Sequence, residues 1–377
     1  MGRAMTGELR CPLCSFSATP MAVPALCPSC AVPLDYHRDF PREFAASSLS
    51  GRGIWRYAPL LPDVEPVTLG EGGTPLVPSL RLGPRLGVRL LFKAEGMNPT
   101  GSFKDRGAAV LVAALRSFGA RAVADDSSGN AGAALAAYAA RARIRARLFV
   151  PAHASGPKLA QIAAYGAELA RVPGPRERAR DAAREACAAD ADLLYASHNA
   201  SPYFVAGLTT IAYELFEDLG GHPPDHIVVP VGGGGLFLGL VHGFGQLRKL
   251  GWCGQVPRIH IAQPQACAPI VRARGGGDPF EPEPRETVAE GARIPRPERG
   301  REVLAALRTV GGEAVAVSEE EIVTARATLA RAEGLWVEPT ASLAVAALPS
   351  LLARGAIGPR DEVVLPLTGH GLKAEKG

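Results

Sequence analysis

The feature that most limits how this chain can fold is a regular alternation of short apolar segments with longer, alanine-rich ones from about residue 89 onward. Short apolar runs rich in Val, Ile and Leu are typical of buried strands, and the longer stretches have the composition of helices. We predict strands at 89–95, 120–126, 146–151, 167–173, 192–197, 226–232, 258–263 and 362–367. We predict helices at 104–118, 130–141, 157–165, 176–189, 202–219, 236–250, 319–333 and 341–353. Strands and helices in alternation imply an α/β protein with parallel sheets covered by helices on both faces.

Two stretches fall outside this alternation. Residues 31–66, rich in Pro and Gly, are interpreted as a linker, and residues 274–313, rich in Gly, Pro, Arg and Glu, as a long loop. A chain of 377 residues is too long for one ordinary core, so we expect two domains and a small additional segment.

Composition excludes several classes of protein. A hydrophobic content of 47% and a charged content of 21% are typical of a soluble globular protein. No apolar run is long enough for a membrane span, and MGRAMTGELRCPLC lacks the apolar core of a signal peptide, so we expect a cytoplasmic protein. The net charge of +4 does not call for a nucleic-acid partner, and the arginines of RARIRARLFV (141–150) alternate with apolar residues, as at a helix end that leads into a half-buried strand.

The first 30 residues contain two CxxC pairs, CPLC and CPSC, in a C-x2-C-x12-C-x2-C arrangement. Four thiolates at this spacing can surround one Zn²⁺ tetrahedrally, and a cytosolic setting disfavours disulfides. We therefore predict a zinc-ribbon-like segment with a structural metal, the alternative being a vestigial or redox site. The predicted ligands are Cys11, Cys14, Cys27 and Cys30.

Lys104 is set apart from the other lysines by its surroundings. Only six of the 41 basic residues are lysines, and Lys104 lies in NPTGSFKDRG (98–107), after a turn and at the start of a predicted helix. A helix N-terminus disfavours a cation, which favours the neutral amine that attacks a carbonyl to form an imine. The alternative is an ordinary surface lysine, but that interpretation would not explain why Gly and Ser precede it.

Three further strand-to-helix junctions contain unusual residues. DSSGNAG (126–132) offers donors for a carboxylate at a helix start, although a simple N-cap would also explain Ser127 or Ser128. PVGGGGLFLG (230–239) has four glycines that can expose backbone N–H groups to a phosphate, and it lacks the Lys of a P-loop. LPLTGHGLK (365–373) ends a strand with Thr368, whose hydroxyl can meet a ring nitrogen, and with His370, which we interpret as a turn residue.

A reactive lysine, a phosphate-binding loop and a hydroxyl for a heteroaromatic nitrogen match the aldehyde, phosphate and pyridine of pyridoxal 5′-phosphate. NPTGSFKDRG, SSGNAG, the glycine loop, VEPTASLA (337–344) and TGHGLK occur in this order in the threonine synthases, which the chain resembles from about residue 55 to 373. That family belongs to the tryptophan-synthase β-like group, fold type II, and some members begin with a similar cysteine segment. SFKDRG and TGHG are specific to threonine synthases, whereas SSGN and the glycine loop also occur in serine and threonine dehydratases.

The resemblance implies an architecture. It has two open three-layer α/β domains with mainly parallel sheets, in addition to the zinc-ribbon-like segment. The expected boundaries are 1–38 for that segment, 39–98 with 206–377 for a large cofactor-binding domain, and 99–205 for a small mobile domain. A homodimer is also expected by resemblance.

The resemblance also implies residue roles. Lys104 is the catalytic lysine that binds the cofactor aldehyde, Phe103 packs near its ring, Asn130 bonds its ring hydroxyl, and Thr368 meets its pyridine nitrogen. The phosphate of the cofactor is expected at Gly232, Gly233, Gly234, Gly235 and Leu236. Substrate contacts are expected from Ser127, Ser128, Ala131, Lys158, His198 and Asn199.

As a threonine synthase, the chain would convert O-phospho-L-homoserine and water to L-threonine and phosphate, with Lys104 moving protons at Cα and Cβ. Four positions differ from the common family pattern: Ala131 replaces Thr, Ala206 replaces Glu, Thr209 replaces Lys, and Phe204 replaces an arginine of some relatives. These differences keep a second hypothesis open, β-elimination or β-replacement on serine, threonine or O-phosphoserine. A third, a nucleic-acid-binding scaffold, depends on the cysteines and the basic stretch alone.

Overall fold

The structure, a computed structural model, describes residues 5–22, 26–39, 48–154, 156–174 and 176–374. The described chain contains thirteen strands and twelve α-helices. The strands are β1 (Glu8–Arg10), β2 (Ser17–Ala18), β3 (Asp35–His37), β4 (Leu76–Pro78), β5 (Arg89–Lys93), β6 (Ala122–Asp125), β7 (Arg145–Pro151), β8 (Glu168–Val172), β9 (Leu193–Tyr195), β10 (His226–Pro230), β11 (Arg258–Pro264), β12 (Ala314–Val317) and β13 (Glu362–Pro366). The helices are α1 (Leu82–Leu86), α2 (Lys104–Ser117), α3 (Asn130–Ala142), α4 (Pro157–Ala164), α5 (Arg176–Ala189), α6 (Pro202–Leu208), α7 (Thr210–Asp218), α8 (Gly235–Lys249), α9 (Pro269–Ala273), α10 (Gly300–Thr309), α11 (Glu319–Glu333) and α12 (Pro339–Ala353).

These elements form two compact units. Within the described ranges, unit 1 comprises residues up to 72 together with 98–208, and unit 2 comprises 73–97 together with 209–374. None of the described helices combines the length and apolar character needed to span a bilayer.

Unit 1 contains two sheets. The three short N-terminal strands pair antiparallel in the order β2-β1-β3, and a four-stranded parallel sheet has the order β8-β7-β6-β9. Helices α2 and α3 are rich in alanine and almost entirely buried, so they contribute small side chains that allow close helix packing. The core of the unit lies between these helices and the apolar side chains of β6 and β7.

Unit 2 is built on a six-stranded sheet in the order β12-β11-β10-β13-β5-β4, in which only β4 runs antiparallel to its neighbour. Nearly every residue of β10, β11 and β13 is buried, as expected for parallel strands covered on both faces. Helix α12, which is buried along most of its length, belongs to an apolar cluster that also includes side chains of β5, β12 and β13.

Buried polar groups tie parts of unit 2 together. The amine of Lys93, on β5, donates to the backbone oxygen of Thr74 (2.7 Å) and forms ion pairs with Asp218 (2.7 Å) and Glu214 (3.0 Å) on α7. Glu214 also accepts a hydrogen bond from the Gly73 backbone N–H (2.7 Å). A charge with no exposed surface is thus compensated by two carboxylates one helical turn apart.

A second polar chain joins the starts of four parallel strands, β12, β11, β10 and β13. The Glu313 backbone N–H donates to Nδ1 of His260 (3.0 Å), so a neutral His260 carries its hydrogen on Nε2 and donates it to Nδ1 of His226 (2.9 Å). Nε2 of His226 then donates to the Asp361 carboxylate (2.9 Å). Burial, and secondarily the nearby His226, lower the pKa of His260 to about 4.

The structure confirms the predicted α/β class, and a strand lies within or at each of the eight predicted positions. The predicted helix at 202–219 is wrong in one respect: it is two helices, α6 and α7, interrupted at Thr209. The loop predicted at 274–313 contains α10, whose Val303, Leu304 and Leu307 are buried. The basic stretch 141–150 runs from the end of α3 into β7, whose exposure falls along its length, as predicted.

Candidate active site

The loop before Lys104 is closed by its own side chains. The Gly101 backbone N–H donates to the Asn98 carbonyl (2.8 Å), and Gly101 has φ +86°. The carboxylate of Asp105, in the first turn of α2, accepts hydrogen bonds from the backbone N–H (2.7 Å) and the hydroxyl of Thr100. Asp105 therefore has a structural role, since it fixes the turn that leads to Lys104.

Lys104 is the first residue of α2, and its amine lies near aromatic rings. Nζ is 4.7 Å from the ring centroid of Phe103 and 5.5 Å from that of Phe204 on α6. Nearby in the chain, the Ser102 side chain is fully buried, and its hydroxyl has no hydrogen-bond partner among the described residues. A buried, unsatisfied hydroxyl in a native fold calls for a partner, which a ligand can supply.

The SSGN segment connects β6 to α3, as predicted. The Ser127 hydroxyl accepts a hydrogen bond from the Gly129 backbone N–H (3.3 Å), and the helix begins at Asn130. A Cβ on Gly132 would lie 2.0 Å from the Ser127 carbonyl oxygen, so Gly132 lets the loop fold down onto the helix. Ser128 is half-buried and Ala131 is buried at this positive end of the helix, where a carboxylate is stabilised.

Polar residues at the ends of neighbouring strands β6 and β9 form pairs. Nδ1 of His198 lies 3.0 Å from Oδ2 of Asp125, and the Tyr195 hydroxyl donates to Oδ1 of Asp126 (2.7 Å). Burial, with the two aspartates adding to it, raises the pKa of Tyr195 well above its usual range. Of the four residues in these two pairs, the sequence predicts His198 alone, which is buried. Its neighbour Asn199, which is also predicted, is half-buried.

Asp125, Asp126 and Tyr195 are absent from the predicted set. The available signal was the Asp-Asp pair at the end of a strand, directly before SSGN. Pairing with the residues after β9 depends on the strand order, which the local sequence does not reveal.

Lys158 is the second residue of α4 and is half-buried. One turn further along the same helix, the Gln161 side-chain amide donates to the Thr100 carbonyl (3.2 Å). This hydrogen bond connects the helix of Lys158 to the loop that precedes Lys104.

In unit 2, the glycine loop links β10 to the start of α8. Gly234 has φ +94°, a conformation that favours glycine, and a Cβ there would lie 2.5 Å from Cγ2 of Val303. A Cβ on Gly232 would lie 2.6 Å from the Gly291 carbonyl oxygen. The loop thus tolerates no side chain at either position, and it leads into a helix N-terminus suited to a phosphate.

Thr368 follows β13 and is buried, and the residues after it are tightly held. The Glu338 backbone N–H donates to the Gly369 carbonyl (3.0 Å), and a Cβ on Gly369 would lie 1.9 Å from Oε2 of Glu338. Nδ1 of His370 accepts a hydrogen bond from the Leu372 backbone N–H (3.2 Å) and so caps a short 3₁₀ turn, in agreement with its interpretation as a turn residue.

The four N-terminal cysteines lie together in unit 1, with all four sulfur atoms within 4.8 Å of one another. The backbone N–H of Cys11 donates to the Phe16 carbonyl and that of Cys27 to the Val32 carbonyl, both at 2.8 Å, which closes a tight turn around each pair. Burial raises the pKa of the Cys27 thiol, but backbone N–H groups of Cys30 and Ser29, together with neighbouring thiols, outweigh burial and lower it to about 7. The cluster therefore has the composition and compactness of a tetrahedral zinc site.

An α/β fold with a lysine at a helix start, a glycine loop before another helix and a threonine at a strand end defines a class of cofactor-dependent enzyme. The family described as "Pyridoxal-phosphate dependent enzyme" matches residues 67–369, and the chain belongs to it. Within that family, the chain is 40% identical to the threonine synthase of Methanosarcina acetivorans over 325 residues, which are 85% of this chain and 80% of that one. It is 38% identical to the threonine synthase of Methanocaldococcus jannaschii over 328 residues, again 85% and 80% of the two chains.

A solved structure agrees with this assignment. The threonine deaminase of T.th. has a TM-score of 0.68 and 30% sequence identity, covering 81% of this chain and 94% of that one. The resemblance to threonine synthases and the tryptophan-synthase β-like, fold type II architecture are therefore confirmed.

Proposed function

We propose that the chain is a pyridoxal-phosphate-dependent lyase that converts O-phospho-L-homoserine and water to L-threonine and phosphate. The observation that carries the proposal is its 40% identity to a threonine synthase over 80% of that relative's length. The motifs around Lys104 and Thr368 that are specific to that family support it further.

The chain's own residues would hold the cofactor as follows. Lys104 binds its aldehyde, Phe103 packs near its ring, Asn130 bonds its ring hydroxyl, and Thr368 faces its pyridine nitrogen. Its phosphate is held by the backbone of Gly232–Gly235 and Leu236. The glycine loop supports this fit, because Cβ atoms added at Gly232 and Gly234 would meet Gly291 and Val303. The buried, unpartnered hydroxyl of Ser102, which lies close to Lys104 in the chain, also supports it.

The substrate would be held by its two anionic ends. Ser127, Ser128 and Ala131, at the positive start of α3, surround the carboxylate. The leaving phosphate is bound by Lys158, with His198 and Asn199 contributing polar contacts. The Asp125 carboxylate orients His198 through its Nδ1, which supports this part of the proposal.

When bound, the cofactor supplies an electron sink for negative charge at the substrate's α-carbon. The amine of Lys104 removes the α-proton and then a proton from the β-carbon, and phosphate leaves from the γ-carbon. The γ-carbon then takes a proton to become the methyl group, the hydroxyl of water adds at the β-carbon, and a proton returns to the α-carbon to give threonine. Thr368, a neutral hydroxyl, keeps the pyridine nitrogen largely unprotonated, which suits elimination and replacement better than transamination.

The test is to incubate the cofactor-loaded chain with O-phospho-L-homoserine and to measure phosphate, threonine, 2-oxobutyrate and ammonia. We expect phosphate and threonine in equal amounts, and neither from Lys104→Ala. Absence of both products with the unaltered chain would refute the proposal.

A second candidate is β-elimination or β-replacement on serine, threonine or O-phosphoserine. It is favoured by Phe204, an apolar ring at a position where some relatives have an arginine, and by Ala131, Ala206 and Thr209, which likewise depart from the family pattern. Formation of a 2-oxo acid and ammonia, or of a β-substituted product, would support this candidate over the first.

We also propose that Cys11, Cys14, Cys27 and Cys30 hold one structural Zn²⁺. The closeness of the four sulfur atoms supports this proposal, and four thiolates leave no open position for catalysis. We expect metal analysis to find about one Zn²⁺ per chain. The Cys14→Ser variant should lose this metal, whereas Cys187→Ser, the matched control outside the cluster, should keep it. A metal content below about 0.1 per chain in protein purified with zinc would contradict the assignment.

The remaining organisation is also a proposal. We assign residues 1–38 to the ribbon-like segment, 39–98 and 206–377 to the cofactor-binding domain and 99–205 to a small mobile domain. We propose that the enzyme acts as a cytoplasmic homodimer, a state that sedimentation of the cofactor-loaded chain would test.

A further inference from the structure

The two phenyl rings beside the Lys104 amine, those of Phe103 and Phe204, form what we call the aromatic cleft. Their centroids lie 4.7 Å and 5.5 Å from Nζ, within the distance at which a ring face attracts an ammonium group. Phe204 is only 2% exposed, so little water screens this attraction.

The position of the Phe204 ring is built into the helix packing. A Cβ on Gly107 would lie 2.7 Å from three carbons of the ring, so glycine at this point of α2 makes room for it. A Cβ on Gly207 would lie 2.2 Å from the Arg106 carbonyl oxygen, so a second glycine lets α6 approach α2. Two glycines on facing helices thus bring the ring against the start of α2.

The Phe204 ring also packs against His198. The two ring centroids are 5.9 Å apart with an interplanar angle of 66°, an edge-to-face arrangement, and His198 is itself held by Asp125. Phe204 is therefore fixed from two directions, by α2 and by the polar pair at the ends of β6 and β9.

Two opposing influences act on the charge of Lys104. The helix N-terminus disfavours an ammonium group, whereas the faces of two aromatic rings favour it. Among the described residues, the adjoining elements also carry other charged or titratable side chains: Asp105, Arg106 and Arg116 on α2, Tyr203 on α6, and Asp125, Asp126, Tyr195 and His198 at the strand ends.

We propose that Phe204 is a positioning residue for the catalytic lysine: its ring holds the protonated amine of Lys104 in the aromatic cleft. This inference depends on the proposal that Lys104 is the cofactor-binding lysine. An amine that has taken the substrate's α-proton is then held at the helix start until it gives the proton back. Phe204 thus contributes to proton transfer through Lys104.

The test measures the charge of Lys104 directly, in the full chain freed of cofactor. Trace labelling with an amine-reactive anhydride over a range of pH, with mass spectrometry of the Lys104 peptide, gives the midpoint at which the amine becomes reactive. Phe204 is replaced by its 4-fluoro, 3,5-difluoro and 3,4,5-trifluoro analogues, which withdraw charge from the ring face with little change in size. Phe204→Leu removes the ring, and Phe118→Leu in the same unit is the control for loss of an aromatic side chain.

We expect the midpoint to fall stepwise with each added fluorine, and by about 0.5–1.5 pH units for Phe204→Leu. Phe118→Leu and a Phe118 fluorination series should leave it unchanged. A midpoint that stays constant across the Phe204 series would overturn the proposal, because packing alone would then be the role of the ring. Labelling needs no substrate, so a failure to form threonine would leave this result interpretable.

Discussion

The histidine chain of unit 2 makes the stability of the fold depend on pH. His260 is 1% exposed and neutral, with its Nδ1 occupied by the Glu313 N–H and its Nε2 by His226. A proton on Nδ1 would displace the Glu313 hydrogen bond and place a charge in a buried site. Two perturbations test this dependence, acidification and the substitution His260→Asn. The side-chain oxygen of the new Asn can still accept the hydrogen bond from the Glu313 N–H.

The magnitude follows from the pKa values of the two states. A free imidazole has a pKa of 6.5, and burial lowers that of His260 to about 4. The unfolded chain therefore binds a proton below pH 6.5 and the folded chain does not, so stability is complete above 6.5 and is lost as the pH falls towards 4. The full difference corresponds to about 3 kcal/mol, of which about 2 kcal/mol is lost between about pH 7.5 and pH 5.

The assay is urea unfolding at several pH values for the unaltered chain and for His260→Asn. The free energy of unfolding is compared between the two proteins at each pH. The difference removes the contribution of every group that titrates in the same way in the unaltered chain and in His260→Asn. We expect His260→Asn to lose about 2 kcal/mol less than the unaltered chain between about pH 7.5 and pH 5. Equal pH dependences would refute the reasoning, since His260 would then bind protons alike in both states.

Two further substitutions test particular contacts. Gly234→Ala should weaken binding of pyridoxal 5′-phosphate by about 10-fold or more, because φ is +94° there and the new Cβ would meet Val303; a fluorescence titration measures this. Gly245→Ala on the same helix is the matched control, since no atom lies within 4 Å of its Cβ position, and unchanged affinity in both variants would contradict the role of the loop. Lys93→Met should lower the free energy of unfolding, measured by urea denaturation, by about 3 kcal/mol, because two carboxylates lose their cation. The control is Lys249→Met at an exposed position, which should change the free energy of unfolding by less than about 0.5 kcal/mol.

Much of the fold was predictable because its main signals are local. Apolar runs followed by alanine-rich stretches locate the parallel strands and the helices between them. The break at Thr209 has only a weak local signal, because the Gly and Thr residues of VAGLTT lower helix propensity without ending a helix. Helix α10 was hidden by its Gly- and Pro-rich flanks, although Val303, Leu304 and Leu307 follow a helical period.

The candidate site was predictable only where function depends on a contiguous motif. The loops around Lys104 and Gly234 contain their own information, since a turn or a phosphate loop needs particular residues in sequence. The Asp125–His198 pair depends on β9 lying beside β6, and the contact of Phe204 with Lys104 depends on the approach of α6 to α2. Both are properties of tertiary packing that no local pattern encodes.

The central claim is that water replaces phosphate on the carbon skeleton of O-phospho-L-homoserine. The most direct measurement is to run the reaction in water enriched in oxygen-18 and to analyse both products by mass spectrometry. We predict one solvent oxygen in the hydroxyl of threonine and none in the phosphate, because the carbon–oxygen bond is the one that breaks. Labelled phosphate with homoserine as the other product, or unlabelled threonine, would contradict it.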